Sequence, residues 1–181
     1  MNIAVYCAAS QSKCPAFDER TEELGKWMAQ KNHTLVYGGG NTGLMGIVST
    51  AVMQTGGQVI GVMPQFFVDR EIAKKDITKL HIVETMSQRK NKMIELSEVY
   101  IALPGGPGTL EEIAEVVSWV RVGQTNGICI FYNIEGYYNH LEAFFNHMVT
   151  TKLLSKEDRN QIHFVKSLEE IEKLIENYEK R

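Results

Sequence analysis

The chain has 181 residues, 44% of them hydrophobic and 23% charged, which is ordinary for a globular domain and excludes a disordered chain. Its formal net charge of −3 and its isoelectric point near 6.0 provide no basic field for nucleic acid. This length fits a single domain, spanning 1–181, that is built around one core.

Short apolar segments alternate with longer helical patterns along the whole chain. The predicted strands are Ile3–Cys7, Leu35–Tyr37, Gln58–Met63, Leu80–Glu84, Val99–Leu103, Ile128–Tyr132 and, with a weaker signal, Ile162–Val165. Val99–Leu103 is apolar on both faces, which is typical of a parallel strand covered by helices on both sides. The alternation predicts an α/β fold with a Rossmann-like, doubly wound, mainly parallel sheet flanked by helices on both faces.

Helix signals lie between these strands. The first helix places four residues on one face and has Pro15 near its start; the four are Phe17, Thr21, Leu24 and Met28. A further helix is predicted from about Met86 to Leu96. The last helix opens with Ser167–Glu170, a capping-box pattern in which the serine and the second glutamate bond to the first turn.

The location of the protein is predicted from its N-terminus and its cysteines. The N-terminus lacks a cationic start and is predicted to be a strand rather than a signal peptide, and the apolar segments are too short to span a bilayer. Three cysteines without a paired motif indicate free thiols; they are Cys7, Cys14 and Cys129. We therefore expect a cytoplasmic protein without membrane association.

Two glycine-rich loops follow predicted strands, Gly38–Gly43 after the second and Gly105–Thr109 after the fifth. Loops without Cβ atoms let backbone N–H groups surround an anion, and a following helix adds partial positive charge. Each loop alone is also ordinary turn chemistry. Neither matches a P-loop, and the first lacks the spacing of a dinucleotide fingerprint. Together they favour a mononucleotide phosphate as the ligand.

Arg89 and Glu112 are predicted at the same edge of the sheet. Arg89 follows the fourth strand near the start of its helix, and Glu112 is placed in the first turn after the fifth strand. A parallel sheet would point both into one crevice. Two structural interpretations stay open: Thr109–Glu112 is itself a capping-box sequence, and Arg89 with Lys90 could form a solvated helix face. The five histidines show no metal spacing, so no metal site is expected.

The residues Pro104–Glu112 read PGGPGTLEE and match the PGGxGTxxE motif of the LOG family, the cytokinin riboside 5′-monophosphate phosphoribohydrolases formerly labelled lysine decarboxylases. The resemblance extends over nearly the entire chain. It includes Tyr37–Gly46, Val62–Pro64, Met86–Lys90 and Gly136–Tyr138. Two departures are Pro107, where the family usually has an aromatic or aliphatic residue, and Ala8-Ala9, where a Gly-Ser pair is common.

The resemblance implies a homodimer that hydrolyses the N-glycosidic bond of cytokinin riboside 5′-monophosphates, of AMP or of both, releasing the free base and ribose 5-phosphate without a cofactor. It carries the catalytic roles onto Arg89 and Glu112. The expected substrate contacts, including those from the glycine loops and from the turn after the first strand, are Ser10, Gly39, Gly40, Glu71, Met86, Lys90, Gly105, Gly106, Pro107, Gly108, Thr109 and Ser118, the last standing where threonine is expected.

A non-catalytic nucleotide-binding or carrier protein of the same fold is the alternative, because related Rossmann-like folds bind ligands without cleaving them. The Arg89 and Glu112 pair favours an enzyme, since a carboxylate near a phosphate would only repel the ligand of a pure binder. A nucleic-acid-binding module is disfavoured by the acidic isoelectric point.

Overall fold

The structure is a computed structural model that describes residues 1–70, 73–74 and 76–180. One parallel sheet contains seven strands: β1 (Asn2–Tyr6), β2 (Thr34–Tyr37), β3 (Gln58–Pro64), β4 (Lys79–Val83), β5 (Val99–Ala102), β6 (Ile128–Tyr132) and β7 (Ile162–Val165). All seven predicted strands are confirmed, and their ends agree with the predicted bounds to within one residue. The predicted α/β fold is therefore confirmed.

The helices connect successive strands. They are α1 (Pro15–Gln30), α2 (Gly43–Gln54), α3 (Gln65–Val68), α4 (Met86–Glu95), α5 (Pro107–Arg121), α6 (Asn139–Thr150), α7 (Lys156–Asn160) and α8 (Leu168–Glu179), with a short 3-10 helix at Ile134–Gly136. In α8 the Ser167 hydroxyl accepts from the Glu170 amide as predicted, but the Glu170 carboxylate accepts from the Lys166 amide, so the capping box is only half formed. None of the helices in the described part of the chain is long and apolar enough to cross a membrane.

The strand order across the sheet is β4-β3-β2-β1-β5-β6-β7. From β1 the chain adds β2, β3 and β4 toward one edge of the sheet, and from β5 it adds β6 and β7 toward the other. The direction of winding therefore reverses between the two central strands, β1 and β5. Loops that leave the carboxyl ends of such strands diverge to opposite faces of the sheet and open a crevice between them. The fold thus places its ligand crevice at the ends of β1 and β5.

Helices cover both faces of the sheet, and each face has its own apolar core. Along β1, Ile3 and Val5 pack toward α1, α2 and α8, whereas Ala4 and Tyr6 pack toward α4 and α5. This is the period-two alternation of a strand with both faces buried. In β5 every residue is buried, as its continuous apolar sequence predicts.

Candidate active site

A cavity of about 420 Å³ lies at the point where the winding of the sheet reverses. This volume is within the usual range for small-molecule sites. The turn after β1, the helix α4 and the start of α5 supply most of the lining, which consists of Cys7, Ala8, Ala9, Ser10, Met45, Phe67, Met86, Arg89, Gly106, Gly108, Thr109, Glu111 and Glu112.

Arg89 and Glu112 meet in this cavity. The Arg89 guanidinium donates from Nη2 to Glu112 Oε1 at 2.5 Å, and the two side chains are 8% and 5% exposed. The solvated-face interpretation of Arg89 is therefore wrong. The capping-box interpretation of Glu112 is also wrong, because α5 begins at Pro107 with Gly106 as its N-cap and no side-chain cap. Glu112 consequently lies in the second turn of α5 rather than in the predicted first turn.

Local sequence explains the position of Arg89. The Thr85 hydroxyl accepts from the Gln88 amide at 3.1 Å, and the Gln88 side chain accepts from the Thr85 amide at 3.2 Å. This capping box fixes the start of α4 at Met86, so Arg89 is the buried fourth residue that ends its first turn. After the end of β2, a Cβ atom on Gly38 would lie 2.5 Å from Arg89 Nη2, so a side chain there would displace the guanidinium from its present position.

Burial and the ion pair act in opposite directions on Glu112. Removal from water raises the pKa of the Glu112 carboxyl above its ordinary value of 4.5, and the positive charge of Arg89 partly opposes that rise. The Nε atom of Arg89 is also buried, and among the residues that the structure describes it has no hydrogen-bond partner. The pair therefore combines a carboxylate of raised proton affinity with an unused donor, two groups that could act on a ligand.

The N-terminus of α5 forms the wall of the cavity beside this pair. The first amides of a helix have no intrahelical acceptor and carry partial positive charge, which makes them a binding site for anions. Gly106, Gly108 and Thr109 line the cavity at this helix start. Their amides and the small glycines suit a phosphate group close to Arg89 and Glu112.

Two further predicted substrate contacts, Ser10 and Met86, also line the cavity. Lys90 does not line it but lies next to it, where its ammonium pairs with Glu111 and lies 2.8 Å from Glu115 Oε2. Hydrogen bonds to these two carboxylates raise the pKa of Lys90. Lys90 is therefore the cation of a second ion-pair cluster between α4 and α5.

The remaining predicted contacts lie outside the cavity lining. The Gly39 carbonyl accepts from the Lys74 amide at 2.9 Å, and Gly40 bridges to Ala73, so these two glycines pack against the segment after α3. Ser118 is exposed along α5, where its hydroxyl donates to the Ala114 carbonyl. Gly105 and Pro107 flank the lining residues, and Glu71 lies outside the described residues. Substrate contacts of all these residues stay predictions.

Six lining residues were not among the predicted site residues: Cys7, Ala8, Ala9, Met45, Phe67 and Glu111. Met45 belongs to the glycine-rich segment that matched the family, so a signal existed. Phe67 lies in α3, whose four residues are too few to show helical periodicity. Burial raises the pKa of the Cys7 thiol well above its usual range, so Cys7 contributes a neutral apolar wall. Within the described ranges no group of three or more His, Cys, Asp or Glu side chains could hold a metal ion.

The chain is similar to several known proteins. A family model described as "Possible lysine decarboxylase" matches residues 45–175. A cytokinin riboside 5′-monophosphate phosphoribohydrolase of Arabidopsis thaliana is 39% identical over 97% of this chain and 83% of its own length. A protein of the same name from Rhodococcoides fascians is 36% identical over 93% of this chain and 85% of its own length. Among solved structures, the molybdenum cofactor carrier protein of Chlamydomonas reinhardtii aligns with a TM-score of 0.77 at 20% identity, covering 99% of each chain, and this likeness concerns the fold alone.

Proposed function

This chain belongs to the LOG family of cytokinin riboside 5′-monophosphate phosphoribohydrolases, and from that premise we propose that it is a hydrolase of the nucleotide N-glycosidic bond. Its substrates are cytokinin riboside 5′-monophosphates, AMP or both, and its products are the free base and ribose 5-phosphate. The observation that carries the proposal is the buried pair of Arg89 and Glu112 in one cavity with the N-terminus of α5.

Glu112 supplies the chemistry in this proposal. Cleavage of the bond between the base and ribose C1′ develops positive charge on the ribose, and a buried carboxylate stabilises such charge strongly. The same carboxylate accepts a proton from the water whose oxygen bonds to C1′, while the bond electrons leave with the base, which takes up a proton. Its raised pKa makes Glu112 a better proton acceptor than an exposed glutamate.

Arg89 and the loop at Gly106–Thr109 position the nucleotide. The planar guanidinium of Arg89 holds Glu112 in one orientation and keeps Nε for the ligand. The start of α5 holds the 5′-phosphate, so that binding energy far from the reacting bond orients the ribose. No metal or redox cofactor has a part in this reaction.

The alternatives fit the site less well. A carrier of anionic ligands gains nothing from a buried carboxylate beside its phosphate site, and the likeness to a cofactor carrier extends only to the fold. A decarboxylase that uses a lysine Schiff base needs a free amine in its pocket. The lining, as far as the described residues go, contains no lysine, and Lys90 nearby is paired with two carboxylates.

We also propose that the protein is a cytoplasmic homodimer. The dimer follows from the family resemblance, and Met86 and Leu110 on the adjacent helices α4 and α5 are exposed apolar residues beside the cavity that a partner could cover. The cytoplasmic location agrees with the three free cysteines.

The test is chromatographic detection of free base after incubation with AMP and with isopentenyladenosine 5′-monophosphate. We expect wild type to release base and Glu112→Gln to lose about 100-fold or more in kcat, because the amide neither accepts the proton nor carries the charge. Its amide oxygen still accepts from Arg89, so the fold and nucleotide binding are retained. The wild-type kcat/KM should fall as the pH drops through the raised pKa of Glu112.

Glu95→Gln is the matched control, since Glu95 lies at the end of α4 with its side chain 62% exposed. This variant should keep wild-type turnover. Glu112→Gln with nearly full turnover would refute the role of that residue. Binding of both nucleotides by wild type without any release of base would favour the carrier.

A further inference from the structure

The loop between β6 and α6 contacts the loop that follows β5. The hydroxyl of Tyr137 donates to the carbonyl of Gly105, and the hydroxyl of Tyr138 donates to the carbonyl of Leu103, both at 2.6 Å. Two consecutive tyrosines thus bind alternate carbonyls of the segment that leads into α5. Tyr138 is buried and belongs to the core, whereas Tyr137 is 45% exposed and lies at the surface.

Tyr137 is held in place although it is half exposed. Its ring packs edge-on against Phe17, with centroids 5.5 Å apart, and against Tyr138, with centroids 5.0 Å apart. The backbone on either side of Tyr137 is also tied together, because the Asn133 side chain accepts from the Tyr138 amide at 2.6 Å and donates to Asn139 Oδ1 at 2.8 Å. The hydroxyl of Tyr137 is therefore presented to Gly105 by a rigid support.

This contact determines the direction of an amide in the cavity wall. A trans peptide unit is planar, so its carbonyl and its N–H point in opposite directions, and no cis peptide bond occurs in the described ranges. When Tyr137 binds the Gly105 carbonyl, the N–H of Gly106 must point away from Tyr137. Gly106 lines the cavity and Tyr137 does not.

The hydroxyl matters because the backbone at this point is permissive. Gly105 and Gly106 flank the peptide unit on both sides, and glycine lets such a unit rotate at little steric cost. Without a donor for its carbonyl, the unit could rotate and turn the Gly106 amide out of the cavity. We propose that Tyr137 is a positioning residue that aims the Gly106 amide at the 5′-phosphate of the substrate, an inference that rests on the proposed function.

Tyr137→Phe tests this role because it removes the hydroxyl and keeps the ring contacts. With turnover suppressed by Glu112→Gln in both the variant and its reference, calorimetry should show about three- to tenfold weaker binding of ribose 5-phosphate and of AMP, the range expected for one hydrogen bond, and unchanged binding of adenosine, which lacks the phosphate. In turnover Tyr137→Phe alone should raise KM for the nucleotide more than it lowers kcat. A merely structural contact would weaken all three ligands equally.

Tyr132→Phe is the matched control. The Tyr132 hydroxyl is buried and has no hydrogen-bond partner among the described residues, so its removal should leave all three affinities unchanged. Tyr137→Phe with wild-type affinity for ribose 5-phosphate, or with an equal loss for adenosine and AMP, would overturn the inference, as would a wild type that does not prefer AMP to adenosine. Wild type that binds ribose 5-phosphate but releases no base would refute only the proposed function.

Discussion

Arg89 and Glu112 form a pair in which each residue makes the burial of the other tolerable. A carboxylate removed from water without a partner takes up a proton, and a guanidinium removed from water without a partner is costly. At 2.5 Å the two opposite charges offset part of these penalties. Removing Arg89 should therefore change the pKa of Glu112.

We expect Arg89→Gln to make stability fall more steeply with rising pH than it does in wild type. Without Arg89 the pKa of Glu112 rises further, so between the ordinary value of 4.5 and the raised value the native state binds more protons than the unfolded state. The free energy of unfolding then decreases as pH rises through that window. At neutral pH the variant should be less stable by about 3–5 kcal/mol, measured as urea midpoints across the pH range.

The double variant Arg89→Gln, Glu112→Gln provides the control. It has no titrating group at this position, so the additional pH dependence should vanish and part of the stability at neutral pH should return. The same steep dependence in the double variant would show that another group titrates.

At this scale the sequence predicted both residue types and their meeting in one crevice, but not the geometry of their contact. Positions after two strands of a parallel sheet indicated one crevice, and the family motif assigned the roles. The contact itself joins residues 23 positions apart, whereas a capping box between Thr109 and Glu112 was a local explanation for the same glutamate. Pro107 at the first helical position was the signal that favoured an earlier helix start. The contact of Tyr137 with Gly105 spans 32 positions and has no local signal at all.

The start of α5 is the element on which the proposed phosphate site depends. The N-cap Gly106, the first amides of α5 and the Gly105 carbonyl that Tyr137 binds all lie within a few residues of one another. A Cβ atom at Gly105 would lie 2.1 Å from Thr109 Oγ1, whereas one at Gly108 would have no atom within 4 Å. A side chain at Gly105 would therefore collide with Thr109, whereas the space beside Gly108 could hold one.

Gly105→Ala should lower the free energy of unfolding by about 1–3 kcal/mol, because the added methyl group overlaps the Thr109 side chain and forces the helix start to shift. Gly108→Ala should leave stability unchanged or raise it by up to about 1 kcal/mol, since alanine is a better helix residue than glycine. Urea unfolding of both variants measures the difference. Equal stability of the two variants would mean that the loop adapts to a side chain at Gly105.

Elements with a clear period were predictable, and short ones were not. The strands appeared in the sequence as mainly apolar segments of three to six residues, and α1 and α8 showed an apolar face. The four-residue α3 and the turn at Ile134–Gly136 lack any period, yet α3 carries Phe67 into the cavity and the turn leads into Tyr137. Their positions depend on packing against distant segments.

For the whole molecule, the position of the cavity has a consequence for assembly. It opens beside the exposed apolar residues Met86 and Leu110, which lie on the neighbouring helices α4 and α5. An interface between copies on this face would bury these residues and enclose the crevice further. The homodimer implied by the family resemblance is therefore placed on this face in our proposal.

Light scattering after gel filtration should give twice the 20.5 kDa mass of the chain for wild type. Leu110→Glu should give the mass of a single chain, because a charge at that position, 43% exposed, opposes burial in an interface. Leu153→Glu, at a more exposed leucine beyond α6, is the control that should stay dimeric. A monomeric wild type would refute the dimer, and dimeric Leu110→Glu would move the interface elsewhere.

The central place of β1 also has a consequence during synthesis on the ribosome. Residues up to the end of α4 can already align β1 to β4, but the edge of β1 that will later bind β5 stays unpaired until β5 emerges. From Ile3 to Tyr6 this strand has buried core side chains on both faces, so its unpaired edge could attract another nascent chain. Protection of this edge by β5 and completion of the Arg89–Glu112 pair therefore depend on the same second half of the chain.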